Sequence, residues 1–204
     1  RYSHRPLAVW LLARALARPD ADARRKAARL LGRIKSRQAV AALAVRLTDD
    51  VAGVRQAAAW ALGEIEDARA LPGLAEAALR DRDAAVREAA IAALGAIGYP
   101  ASAGFLLDLI PNPDHGAAAV RALARLLIGG SRRHISTGDL MAIAALENHA
   151  LPTSLQNAGH PASAVGYSWR QAQRLAVQEL ARRQQDRDAS TDAYAAWDDA
   201  PCIA

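Results

Sequence analysis

The 204-residue sequence predicts an all-α fold: an α-solenoid, or superhelix, of short helical hairpins with a helical C-terminal cap. The composition is 52% hydrophobic but only 4% aromatic. Ala, Leu, Arg and Glu fill window after window, so strong helix formers abound, while β-branched and aromatic residues are too sparse for several strands. A motif recurs with its Gly at 32, 63 and 95, spacings of 31 and 32 residues that suit a unit of two short helices. Each copy also carries an apolar stripe, Ala27, Ala28 and Leu31, then Ala58, Ala59 and Leu62, at helical spacing. One hairpin cannot cover such a stripe, but stacked hairpins can.

Four columns stay in register. Arg24, Arg55 and Arg87 stand eight residues before the Gly; Leu31, Leu62 and Leu94 just before it; Ile34, Ile65 and Ile97 two after; Leu43, Leu74 and Leu106 eleven after. A degraded fourth copy leads from Val120 and Arg121 to Gly129. Val9, Leu12 and Leu16 match Val40, Leu43 and Leu47, so residues 7–18 read as the second helix of an incomplete first repeat, which suggests a longer parent protein or a removed N-terminal segment.

Within a unit, Asp20 and Asp83 suit the N-cap, where a short carboxylate accepts free N–H groups of the first turn. Pro72 matches the opening turn of a second helix. The recurrent Gly is expected to end the first helix through a positive φ. From Ala89 to Leu107 no charged residue occurs. Gly95, Gly98, Pro100, Ser102 and Gly104 interrupt that stretch, which reads as a repeat junction rather than a membrane span.

These columns resemble the bacterial HEAT-repeat family, including its subset related to phycobilisome lyases. The family's Asp-rich start, Val-Arg, Ala-rich run, Leu-Gly-x-Ile and Arg-Ala-Leu-Pro helix opening appear as Asp81, Asp83, Val86, Arg87, Leu94, Gly95 and Ile97, and as Asp67, Arg69, Ala70, Leu71 and Pro72. The resemblance covers about residues 7–130 and implies the fold; roles in this family differ widely. Departures are Val51 where Asp is expected, and a fourth repeat in which His115 and Ala117 occupy the Asp positions.

Three regions follow: a repeat array over 1–130, a helical cap over 131–185 with a loop around 152–166, and a flexible acidic tail over 186–204. In the cap, Asp139–His149 and Ser168–Arg183 are expected helices, the second carrying Trp169, Ala172, Leu175, Ala176 and Leu180 along one side. In the tail, Tyr194 and Trp197 could dock elsewhere. The lone Cys202 excludes an internal disulfide and a thiolate metal cage.

Net charge is +5, unevenly spread. Residues 1–46 hold twelve Arg or Lys against Asp20 and Asp22, and the remainder is net negative. Arg25, Arg29 and Arg33 are four apart on the first full helix, with Lys26 beside them. The matching ridge of the next repeat carries Gln56, Trp60 and Glu64, which places an indole where a polar residue is usual. Arg25, Arg29, Arg33 and Trp60 are the predicted partner-binding residues. The competing reading makes these arginines a solvated face and folds Trp60 onto its neighbour. Arg24, Arg55 and Arg87, with Asp20 and Asp83, are expected to form a structural ladder between adjacent repeats.

No Ser, His and acid set stands out, so no catalytic residue is assigned. His134, Glu147, His149 and His160 lack metal-ligand spacing, and neither a metal nor a cofactor is expected. Gly129 and Gly130 before Ser131 lack a following Walker Lys and read as a helix end rather than a phosphate cradle. The leading functional expectation is a non-catalytic scaffold or accessory subunit, cytoplasmic and without a transmembrane segment, that binds a protein partner with an acidic surface. A second is binding of nucleic acid or another anionic surface through the basic end, although clustered aromatics for base stacking are missing. A third follows from the resemblance alone: relatives attach or detach bilin chromophores, so a lyase-like or enzyme-accessory role is implied.

Overall fold

The computed structural model describes residues 5–100, 102–112, 114–128, 135–145, 170–171 and 173–187. The helices are α1 (Arg5–Ala15), α2 (Ala21–Ile34), α3 (Val40–Val45), α4 (Ala52–Ile65), α5 (Leu71–Arg80), α6 (Ala84–Ile97), α7 (Ser102–Leu109), α8 (Gly116–Ile128) and α9 (Thr137–Ala145). Residues 173–187 are helical as well. No strand occurs among the described residues. The even-numbered helices α2, α4, α6 and α8 lie side by side in one layer, and α3, α5 and α7 pack against that layer. The chain is an α-solenoid of helical hairpins.

Local chemistry sets the helix starts. Asp20 accepts from the N–H groups of Asp22 and Ala23, both at 3.1 Å, and Asp83 accepts from Ala85 and Val86. Val51 holds the same place before α4 but offers no side-chain acceptor, so that helix starts without the roughly 1 kcal/mol a polar cap supplies. Pro72 sits in the first turn of α5, where its missing N–H costs nothing.

The recurrent glycines do not end helices. Gly32, Gly63 and Gly95 lie inside α2, α4 and α6, and the left-handed terminators come three residues later at Lys35 (φ 54°), Glu66 (φ 57°) and Gly98 (φ 66°). The glycines are kept small by the neighbouring helix. A Cβ on Gly32 would come within 2.8 Å of the Ala61 Cα, one on Gly63 within 2.9 Å of the Ala93 Cα, and one on Gly95 within 2.6 Å of the Ala122 carbonyl oxygen. Each column glycine therefore marks the closest approach of one repeat to the next.

The core runs the length of the array. Leu31, Leu43, Leu62, Leu74, Leu94, Leu106 and Leu123 are fully buried, as are Ala58, Ala59, Ala61, Ala78, Ala90 and Ala119. Full burial of one such Leu contributes about 1.5–3 kcal/mol. Truncating Leu62 to Ala would remove about 2–5 kcal/mol, because a rigid small-residue layer cannot collapse onto the void.

The uncharged Ala89–Leu107 stretch is divided between α6 and α7. Among the described residues no helix is long and apolar enough to cross a membrane. Of the two expected C-terminal helices, the first is described as α9 and the second at 170–171 and 173–187. The latter runs two residues past the expected tail start, with Arg182 bonded to Asp186 across its last turn. Arg183 donates to the Ile135 carbonyl (2.8 Å) and the Thr137 hydroxyl (3.0 Å), which ties this helix to the start of α9. Ala176 and Glu179 are buried, and bonds from Arg182 hold the Glu179 carboxyl below its ordinary range. Gly129, His134, Glu147, His149, His160, Cys202 and the loop expected around 152–166 lie outside the described residues.

Candidate binding groove and the ladder beside it

Stacking α2, α4 and α6 leaves an open groove of about 700 Å³ on the outer side of their layer. From α2 it takes Lys26, Arg29, Leu30 and Arg33; from α4, Gln56, Ala57 and Trp60; from α6, Ala89. Trp60 leans across α2, which is possible because Gly32 has no side chain: a Cβ there would lie 2.9 Å from the Trp60 Cζ3. The residue nevertheless stays 40% exposed, beside Leu30 at 43%. The indole thus rests on its neighbour and still presents a face.

Arg25 is not part of this groove. Its guanidinium bonds Asp22 on its own helix at 2.8 Å. Helical geometry explains the difference: four residues advance about 400°, so a stripe taken every fourth residue drifts by about 40° per step, while residues seven apart nearly coincide. Lys26, Arg29, Leu30 and Arg33, at i, i+3, i+4 and i+7, form the true stripe. That pattern was present in the sequence, and it would also have found Leu30.

Lys26, Arg29 and Arg33 form no ion pair or hydrogen bond with any described residue. Three uncompensated cations therefore border an apolar floor. Other exposed cations of the array are paired: Lys35 with Glu66, Arg69 with Asp67, and Arg121 with Glu88. The bonds from Arg69 pull the Asp67 carboxyl down to about 2.

The ladder lies apart from the groove, at the helix starts. Arg24 grips Asp49 with two bonds of 2.8 Å and reaches the carbonyls of Arg18 and Pro19. Arg55 repeats this on Asp81 at 2.7 and 2.8 Å, with the carbonyls of Asp49 and Asp50. The carboxylates are thus Asp49 and Asp81, not the expected Asp20 and Asp83, whose oxygens face their own helix N-termini as caps. Reach decides this. A capping side chain turns into its own first turn, whereas the aspartate two residues before a cap position points to the preceding repeat. Burial of Asp49 and Asp81 opposes ionisation, but the arginine bonds and the N–H groups of Val51 and Asp83 outweigh it and hold both carboxyls below the ordinary range.

Arg87 breaks the series. It reaches the Asp81 carbonyl at 2.9 Å, but among the described residues no carboxylate meets it and its Nε is buried without a partner. The register assigned the missing acid to His115 and Ala117. In the structure α8 begins at Gly116, with buried His115 immediately before it. The turn role passes to Asn112, whose Oδ1 accepts from the Asp114 N–H as Asp49 accepts from Val51 and Asp81 from Asp83. Asn112 supplies the turn but no charge.

Among the described residues no group of three or more His, Cys, Asp or Glu is placed to hold a metal ion. The model of HEAT repeats matches residues 8–95 and 72–156. The chain belongs to the HEAT-repeat family. Among solved structures, this HEAT-repeat chain is similar to the complex of CpcE and CpcF of phycocyanin lyase from Nostoc sp., with TM-score 0.62 and 25% identity over 83% of this chain. It spans 65% of the length of that protein. An engineered protein matches at TM-score 0.58 and 22% identity, covering 84% of this chain and 80% of the other. Human deoxyhypusine hydroxylase in complex with glycerol matches at 0.55 and 24%, covering 86% and 77%. The last two likenesses show the fold alone. No curated protein matches the chain.

Proposed function

We propose that this HEAT-repeat protein is a scaffold or accessory subunit that binds an acidic protein segment in the α2–α4–α6 groove. The supporting observation is the set of cations Lys26, Arg29 and Arg33, without a partner among the described residues, around the exposed faces of Trp60 and Leu30. A large apolar side chain of the partner would sit on Trp60 while its carboxylates meet the rim. Such an arrangement concentrates affinity in the aromatic anchor and leaves the charges to orient and steer. Arg25, although predicted as a contact, plays no part in this reading.

The test is co-purification from the native source followed by substitution. A stoichiometric protein companion is expected, and Trp60→Ala should weaken its binding by about 2 kcal/mol or more. A chain that purifies alone, or a companion indifferent to both Trp60→Ala and the pair Arg29→Glu and Arg33→Glu, rejects the proposal.

Nucleic-acid binding is a second reading, favoured by the excess of Arg and Lys in residues 1–46. It requires affinity that falls steeply with salt, with a log–log slope of about −0.9 per phosphate contacted. The groove reading expects a shallower slope, because part of its affinity is apolar burial. The likeness to phycocyanin lyase subunits supports a third, chromophore-related role; a purified protein that neither carries nor takes up a pigment removes it.

A further inference from the structure

The groove needs an occupant that is acidic and carries an aromatic or large aliphatic anchor, and one segment of this chain has that chemistry. Residues 188–204 hold Asp188, Asp192, Asp198 and Asp199 with no Lys, Arg or His, and among them stand Tyr194 and Trp197, three residues apart. These residues lie outside the described part of the chain. The basic excess of the chain is confined to residues 1–46, which carry the groove cations, and Lys26, Arg29 and Arg33 are cations without a described partner. We infer that the acidic, aromatic C-terminal segment of the same chain docks in the α2–α4–α6 groove, with Trp197 or Tyr194 against Trp60 and Leu30 and the aspartates on the cationic rim. This inference rests on the groove being a binding site, and it assigns that site an internal competitor.

The chain is long enough. The last described helix is held at the start of α9 through Arg183, at the far end of the array from α2. From α8 back to α4, which carries Trp60, are two helix-to-helix steps of about 8–10 Å, or roughly 16–20 Å, which leaves part of the tail's reach for the path from Arg187 to α8. Trp197 stands ten residues beyond Arg187, and at about 3.3–3.6 Å per residue those residues span up to roughly 33–36 Å. A tethered segment with that reach acts at a high effective concentration, so weak contacts suffice to occupy the groove much of the time. An external partner then meets a site whose open fraction is reduced, and its apparent affinity falls by that fraction.

The experiment uses two full-length chains, the wild type and a tail variant carrying Asp192→Asn, Trp197→Ala, Asp198→Asn and Asp199→Asn. The probe is a fluorescein-labelled synthetic peptide with the sequence of residues 188–204, followed by anisotropy. The tail variant should bind the probe at least about fivefold more tightly than the wild type, the low end of ordinary coupling between competing ligands. Adding Trp60→Ala to the tail variant should abolish that gain. Equal probe affinity in the two chains, or binding to neither, overturns the inference. So does a wild-type mass that grows with concentration while the variant stays monomeric, because the contact would then join two copies. An unrelated acidic peptide with one Trp separates this outcome from the proposed function: if it binds both chains equally and needs Trp60, the groove is a partner site and the tail is not its occupant.

Discussion

The junction between the first two full repeats and the junction between the last two are built on one backbone pattern and held by different forces. At the first, Arg24 closes a buried bidentate pair with Asp49, and the Asp49 carbonyl passes the contact on to Arg55. At the last, Gly95 still lets α6 approach α8 closely at Ala122, yet Arg87 finds no carboxylate and keeps a buried Nε without a partner. Close packing and charge pairing are therefore separable devices in this fold. Small residues fix how near two repeats come, and the arginine–aspartate pair fixes their register. Arg87 is only partly buried, but its buried Nε lacks the acceptor that offsets desolvation at Arg24 and Arg55, so the last junction is the weaker one.

The largest effect should come from making the strong junction resemble the weak one. Asp49→Ala strips Arg24, itself 7% exposed, of both charged bonds. Removing one partner of a buried pair costs about 3–5 kcal/mol. Chemical unfolding should show that loss, and hydrogen exchange should place the new opening between α2 and α4. A loss below about 1 kcal/mol would mean the pair behaves like an exposed one and sets nothing.

Acid should produce a smaller version of the same change at both strong junctions together. Asp49, Asp81 and Asp67 have folded-state values below the ordinary carboxylate value, the last at about 2. The unfolded chain therefore takes up protons first as pH falls, so this stability is complete well above the ordinary carboxylate value of about 4 and is lost as pH falls through that value toward the depressed folded-state ones. Thermal melts between pH 5 and 2.5 should show this slope, and Asp49→Asn should make it shallower. An unchanged slope in that variant would exclude the ladder as its source.

How much of this was legible in the sequence follows from what periodicity encodes. The columns of Arg, Leu, Gly and Ile gave the hairpins, their number and the stacking, because each repeat repeats the same local environment. The same columns could not say why the Gly recurs. A helix-ending Gly and a contact Gly look alike until Ala61, Ala93 and Ala122 appear opposite. The ladder arginines were visible for the same reason, but their acids were not, since the bond runs about 25 residues forward and caps nearby offered closer aspartates. Of the residues expected to bind a partner, Trp60, Arg29 and Arg33 line the candidate groove, and Arg25 lies outside it because a four-residue step drifts around the helix. The use of Asn112 in place of His115 was hidden by α8 starting earlier than the repeat register implies.

The smallest and most diagnostic effect should come from repairing the weak junction. Asn112 already accepts the Asp114 N–H in the manner of Asp49 and Asp81, so Asn112→Asp keeps the turn and adds only a charge. That charge stands at the ladder's turn position, 25 residues after Arg87, the same separation as Asp49 from Arg24. Asn112 is exposed, so the gain is set near the surface end of the range, about 1 kcal/mol rather than the full value of a buried pair. The expected readout is a rise in the unfolding midpoint with slower exchange in α8 and no change in α2. His115→Asp is the control, because it changes the residue before α8 without restoring the turn acceptor. If Asn112→Asp leaves the unfolding midpoint and the exchange of α8 unchanged, the structural equivalence of Asn112 with Asp49 fails, whereas a gain from His115→Asp alone is that of a capping acid before α8.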